Sequence, residues 1–169
     1  LAIMMALFDH GHIKPTDMVD LNKGRIEFYD ETMEDASYHG LNQTTVSKAF
    51  EISSNVGIAK LVHQYYNQNK NAKRFIKTLK SFYLHLPTGI ELDGEANPYL
   101  KEAYNTEDLW SGTTLPWMAI GYESQIAPIQ LLNFYNTVAN DGRMMKPYLV
   151  KEIQQEGKTL PSFPPTVVN

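Results

Sequence analysis

The chain has 169 residues, 43% of them hydrophobic, and its 15 basic and 19 acidic side chains leave a formal charge of −4. That composition suits one globular domain with a core of its own and excludes a disordered tail. The acid surplus argues against a nucleic-acid binder. The lack of cysteine excludes disulfide frameworks, thiolate nucleophiles and cysteine-ligated zinc.

Residues 1–8 form the longest apolar run and read as a buried helix. The run is far below the ~18 residues that cross a bilayer. It has no basic stretch before it and no small-residue cleavage site after it, so it is a poor signal peptide. It starts on Leu1 with no N-cap, so the expectation is a piece excised from a longer protein. Gly11 stands where a helix-ending C′ residue belongs, and residues 14–17 read as a turn. Residues 18–38 hold no sustained period and read as an irregular loop with a short hairpin near Arg25-Ile26-Glu27-Phe28.

From residue 42 the pattern turns helical. Thr44 or Thr45 caps a short helix that carries Val46, Ala49, Phe50 and Ile52 inward. Ser53-Ser54-Asn55 interrupts it. A second, deeply buried helix follows with Val56, Ile58, Ala59, Leu61 and Val62. Next, Phe75, Ile76, Leu79, Phe82, Tyr83 and Leu86 recur at spacings of three and four, which predicts a helix stopped by Pro87. The basic residues between Lys70 and Lys80 fall on its wet side.

Residues 88–115 read as a long loop, a length that is often functional. Pro128 suits helix position N1, with Ile129, Leu131, Leu132, Tyr135, Val138 and Ala139 turned inward and Asp141-Gly142 closing the helix. Residues 148–153 read as a short strand, and 161–169, with three prolines, fray or lead onward. The unit is mostly helical.

The chemistry candidates are few. None of the five histidines forms a His-Glu-x-x-His pair, and His10 and His12 lie two apart in a turn, which suits solvent, so no metal site is expected. Glu91, Asp93 and Glu95 alternate beside Gly89 and Gly94 and read as a solvated loop. Phosphate-cradling glycine loops and a Gly-x-Ser-x-Gly elbow are absent from the sequence, and no cofactor is expected. In Ser53-Ser54-Asn55 a hydroxyl and a carboxamide lie two residues apart at a helix junction. Both can face one cleft, the amide gripping a peptide carbonyl while the hydroxyl passes a proton. Both residue types are also ordinary helix caps, the plainer reading of the tripeptide alone.

Context changes that balance. The segment 45–61, with Ser53-Ser54-Asn55-Val56-Gly57, resembles the Ser-x-Asn region of class B penicillin-binding proteins, the peptidoglycan D,D-transpeptidases of elongation and division. Thr88-Gly-Ile-Glu-Leu-Asp-Gly-Glu95 is similar to their Thr-Gly-Ile-x-Leu-x-Gly-Glu loop. Residues 120–131, then Ala139-Asn-Asp-Gly-Arg143 and Pro147-Tyr-Leu-Val150, continue the resemblance in the family's order. Two departures stand out: Ala127 where the family often has a capping Thr, and Glu123 in place of a common Gly.

The resemblance implies a mainly α fragment of an α+β penicillin-binding/β-lactamase-like transpeptidase fold. Residues 1–153 would be a partial transpeptidase domain, and 154–169 a polar tail leading toward the missing C-terminal part. The family's site needs a Ser-x-x-Lys nucleophile, a Ser-x-Asn facing it and a Lys-Thr/Ser-Gly strand. Only the second is in this sequence, so the fragment by itself is expected to be inactive. In the parent, the nucleophilic serine would form an acyl-enzyme with a D-Ala-D-Ala stem peptide or with a β-lactam. Ser53 would relay a proton, and Asn55 would hold the substrate's peptide group. The parent would be membrane-anchored and work on the extracytoplasmic (periplasmic) face, while the fragment would be soluble and could self-associate through apolar surface on residues 1–7. Two rivals stand beside this reading. One is a β-lactam sensor or serine β-lactamase-like domain, against which the loop at 88–115 and the Gly121 segment count. The other is a non-catalytic helical interaction module in which Ser53 and Asn55 are only caps.

Overall fold

Helix α1 (Ala2–Asp9) opens the structure, a computed structural model describing residues 1–105, 107, 109–155, 158–159 and 164–168. The chain divides into two units, Leu1–Ser81 with Leu100–Ser124, and Phe82–Tyr99 with Gln125–Asn169.

In the first unit α1 ends as its sequence predicts. Gly11 adopts φ +68°, its N–H donates to Phe8 O, and the His12 N–H donates to Leu7 O. This is a Schellman ending, in which a left-handed residue, usually glycine, closes the last carbonyls. Strand β1 (Met18–Asp20) follows, then a 3-10 turn at Asn22–Gly24 and the hairpin of β2 (Arg25–Phe28) and β3 (Glu31–Glu34). The hairpin pairs Arg25 with Glu34 and Phe28 with Glu31, so its loop is Tyr29-Asp30, with Tyr29 at φ +58°. Strand β4 (Gln43–Thr45) returns antiparallel to β1, Val19 opposite Thr44. Much of the stretch expected to be irregular is therefore paired.

Helix α2 (Val46–Glu51) is capped by Thr45, whose Oγ1 accepts the Lys48 N–H at 3.2 Å. Val46 and Ala49 are buried as expected, but Phe50 is exposed and Ile52 half-buried. Two turns of helix present only a narrow inner face. Helix α3 (Asn55–Tyr66) is the centre of the unit: Val56, Ala59, Val62 and Tyr66 are wholly buried. It packs against α2, against α4 (Asn69–Ser81) and against α5 (Thr114–Ala119). The first two residues of α5 fall in the stretch expected to be loop. Its Pro116 stands in the first turn, where no helical N–H partner is lost. Helix α4 buries Phe75, Ile76 and Leu79, and Lys70, Lys73, Arg74 and Lys77 face solvent.

Two expectations fail here. The periodicity through Phe82, Tyr83 and Leu86 is not helix, because α4 ends at Ser81 and Tyr83 turns the chain at φ +61°. Residues 1–7 offer little exposed apolar surface; Met4, Ala6 and Leu7 are buried and the other four are half-buried.

His10 is also less solvated than its turn suggests. Its Nδ1 lies 2.8 Å from the Tyr66 hydroxyl and its Nε2 2.9 Å from Thr78 Oγ1. Tyr66 uses its only proton on Ala6 O, so it accepts from His10 Nδ1–H, and neutral His10 accepts at Nε2 from Thr78. This bonding ties α1 to α3 and α4.

In the second unit Pro128 is at N1 of α6 (Pro128–Ala139), as expected. The inward face is not. Gln130, Asn133 and Phe134 are buried, whereas Leu131, Leu132, Tyr135 and Val138 are exposed. Gln130 tolerates burial because its Nε2 donates to Glu95 Oε1 (3.1 Å) and Ala96 O (2.9 Å) and its Oε1 accepts the Ala127 N–H (2.8 Å). That last bond supplies half of a capping box where Ala127 offers no side-chain cap. Residues 148–153 form no strand; Met145 bridges Val167 ahead of them, and β5 (Gln154–Gln155) pairs with β6 (Lys158–Thr159) after them. Of the expected tail, residues 156, 157, 160–163 and 169 lie outside the described residues.

Candidate active site

Ser53 occupies the same place after α2 that Gly11 occupies after α1. Its N–H donates to Phe50 O and the Ser54 N–H donates to Ala49 O, a second Schellman ending. Ser53 takes φ +55° to make it. A residue with a Cβ pays roughly 1–2 kcal/mol for that region, so a glycine would fit better. The Ser53 side chain is exposed, and its hydroxyl has no hydrogen-bond partner among the described residues.

The next residue turns inward. Ser54 is 1% exposed and is the N-cap of α3, its Oγ accepting the Gly57 N–H at 3.0 Å. The same hydroxyl donates to Asp35, 3.0 Å from Oδ2 and 3.2 Å from Oδ1. Asp35 Oδ1 also accepts the Val56 N–H at 2.9 Å. A carboxylate thus sits at the N-terminus of a twelve-residue helix, where the helix dipole favours negative charge. Gly57 has no room for a side chain: a Cβ there would lie 2.8 Å from Leu21 Cδ2, 3.2 Å from Ser54 Oγ and 3.3 Å from Ala49 Cβ.

Asn55 is the first residue of α3 and half-buried. Its Nδ2 donates to Glu34 O at 2.9 Å. One end of the carboxamide is thereby fixed on the end of β3, while the oxygen and the other amide hydrogen have no partner among the described residues. The structure therefore places Ser53 and Asn55 on either side of a buried cap. The cap of α3 is Ser54, not Ser53 or Asn55. Sequence reasoning missed Asp35, which stands in a polar acidic stretch where no spacing marks it.

The remaining candidates are structural. Glu95 is not simply solvated: it accepts the Thr88 N–H at 2.6 Å and the Gly89 N–H at 3.0 Å, besides Gln130. Partial burial pushes its pKa up, but these donors outweigh that and hold it below the ordinary value. Glu123, at φ +61°, stands in the left-handed region that suits the family's glycine. It is held there by buried Lys101, whose Nζ donates to Glu123 Oε2 at 2.6 Å and whose N–H donates to Glu123 O at 3.3 Å. Burial, with the Arg74 cation nearby, lowers the pKa of His10 and of His12; the Asp9 charge partly offsets this at His10. No group of three or more metal-ligating side chains occurs among the described residues, and none of their helices is long and apolar enough to cross a membrane.

Known proteins resemble the chain in sequence and in fold. The family model described as the penicillin-binding protein transpeptidase domain matches residues 1–169. Penicillin-binding protein PbpB of Mycobacterium tuberculosis is 30% identical over 146 residues, 86% of this chain and 20% of that protein. The chain thus spans about a fifth of the length of the curated relatives it matches. Among solved structures, penicillin-binding protein 3 of Mycobacterium tuberculosis in complex with aztreonam superposes with a TM-score of 0.72 at 26% identity, covering 99% of this chain and 35% of that one. Penicillin-binding protein 2B of Streptococcus pneumoniae R6 shares the fold, with a TM-score of 0.76 at 20% identity over 99% of this chain and 29% of its own. The α+β fold expected from the sequence is that of these neighbours, and the chain belongs to the penicillin-binding protein transpeptidase domain family.

Proposed function

We propose that this chain is the part of a D,D-transpeptidase that carries the Ser-x-Asn side of the substrate cleft. The parent cross-links peptidoglycan stem peptides through an acyl-serine intermediate on the extracytoplasmic face of the membrane that anchors it. The observation that carries this reading is Ser53. A serine held at φ +55°, where glycine would be relaxed, with its hydroxyl bare to solvent, serves no packing purpose. Backbone strain kept at an unbonded polar side chain is characteristic of functional sites. In this reading Ser53 relays a proton to the leaving amine, and Asn55, fixed through Glu34 O, holds the peptide group of a D-Ala-D-Ala terminus or the amide of a β-lactam.

The attacking serine is supplied by the parent, because the sequence holds no Ser-x-x-Lys and no Lys-Thr/Ser-Gly. This chain alone therefore takes up no penicillin; a stoichiometric adduct in its intact mass spectrum overturns that statement. No metal or cofactor takes part in this reading. Isolated, the chain shows Leu131, Leu132, Tyr135 and Val138 to solvent, which supports self-association through α6 rather than through residues 1–7.

The test is Asn55→Ala in the full-length protein that contains this chain. The expected result is acylation by fluorescent penicillin slowed at least tenfold with the melting temperature kept. Lost stability with acylation kept would return Asn55 to a purely structural role.

A further inference from the structure

We infer that Asp35 is a positioning residue for the Ser53–Asn55 pair, an inference that rests on the reading of those two as cleft residues. Asp35 follows β3 directly, and its own N–H donates to Gly24 O at 2.9 Å, which fixes its backbone to the opening of the hairpin. Its carboxylate receives the Ser54 hydroxyl and the Val56 N–H together. Those are the residues between and just after Ser53 and Asn55. One residue earlier, Glu34 O receives the Asn55 amide. The last two positions of one hairpin thus hold Ser54, Asn55 and Val56 at once.

This arrangement answers a question that the local chain leaves open. Ser53 sits in a conformation that a serine does not choose, and its own side chain makes no bond among the described residues that would keep it there. The Schellman bonds from α2 act on its amino side. On its carboxyl side the restraint is Ser54. That hydroxyl is pinned between the Asp35 carboxylate and the Gly57 N–H, and the space around Gly57 is full. Take away the carboxylate and Ser54 keeps its cap but loses its outer anchor, and the Val56 N–H loses its acceptor. Ser53 and Asn55 then lose a fixed orientation toward the cleft. Loosening a site by about 1 Å costs on the order of a hundredfold in rate when orientation carries the catalysis.

The experiment uses the full-length protein with Asp35→Ala, Asp35→Asn and, as reference, Asn55→Ala. Acylation by fluorescent penicillin is followed under single-turnover conditions and resolved into a maximal rate and a half-saturating concentration. It is run well below the melting temperature measured for each variant. Asp35→Ala is expected to lower the maximal rate at least tenfold while the half-saturating concentration changes less. Asp35→Asn keeps one acceptor oxygen for the Val56 N–H and is expected to fall between wild type and Asp35→Ala. If Asp35→Ala does not fold, Asp35→Asn decides alone, at a threefold or larger loss of maximal rate. A lower melting temperature with an unchanged maximal rate in the folded Asp35 variants overturns the inference. An unchanged rate in Asn55→Ala overturns instead the reading on which it rests.

Discussion

Ser53 and Ser54 are adjacent and chemically identical, yet the structure assigns them opposite parts, and alanine substitution separates the two. Ser54→Ala removes the acceptor of the Gly57 N–H, an N-cap loss of about 1 kcal/mol. It also removes a donor to the Asp35 carboxylate, and hydrogen bonds to charged groups contribute about 1.5–3 kcal/mol. The two bonds share one hydroxyl, and Asp35 is only half-buried, so water recovers part of the second. The expected loss is about 2–3 kcal/mol. Ser53→Ala removes a hydroxyl with no partner among the described residues and leaves a Cβ in the same left-handed position, so the expected change is below about 0.5 kcal/mol. Ser53→Gly relieves roughly 1–2 kcal/mol of strain against ~0.5–1 kcal/mol of added chain entropy, a net gain of roughly 0.5 kcal/mol. Urea titration followed by tryptophan fluorescence reads the first unit, since Trp117 lies on α5, packed against α3. The slope with urea should stay constant across the series. The reasoning is refuted if Ser53→Ala costs as much as Ser54→Ala, or if Ser53→Gly is the most damaging of the three.

Two further outcomes follow from titrating groups. The lowered pKa values of His10, His12 and His63, for each of which burial is the largest cause, mean that the unfolded chain binds protons first as pH falls below the ordinary value of about 6.5. Their contribution to stability is complete above that value and lost down to the folded values, so the melting temperature should drop between pH 7.5 and 5.5; a rise contradicts the assignment. Glu95→Gln removes the charge that draws in the Thr88 and Gly89 N–H groups, so amide hydrogen exchange should speed up at those two residues while α3 keeps its protection. Unchanged exchange at Thr88 and Gly89 would show that the glutamate charge does not order that loop.

The hinge between α2 and α3 was half legible. Thr45 announces itself as a cap, and the apolar density from Val56 to Val62 announces a buried helix, because capping and burial act through neighbouring residues. The Ser-Ser-Asn between them drew attention by residue type, but which serine turns inward depends on where the Schellman ending places its left-handed residue. That is settled by the fit of α2 against α3 and by Gly57, not by the tripeptide. Asp35 lies nineteen residues from Ser54 and is brought to it by the hairpin, a contact that no periodicity encodes.

Helix α6 shows the opposite failure. Its residues at 131, 135 and 138 satisfy helical spacing as well as those at 130, 133, 134 and 137 do, and apolarity favours the first set. The structure buries 130, 133 and 134 of the second set and half-buries 137, because the loop at 88–96 brings Glu95 and Ala96 O to Gln130 and satisfies its amide. The strand read at 148–153 and the helix read past Ser81 failed for a related reason: alternation and period describe a segment, whereas pairing and termination need a partner.

The sequence alone thus determined the helices whose caps and buried faces are local, the left-handed turn at Gly11, the lack of thiol chemistry and, through its motifs, the family. Only the tertiary structure decided which face of α6 is covered, which serine is the cap, and that the end of a distant hairpin holds Ser54, Asn55 and Val56. Local preferences involve a few dihedrals and near neighbours. Those decisions turn on desolvating and pairing polar groups far apart in the chain, and that free energy exists only once the fold has brought them together.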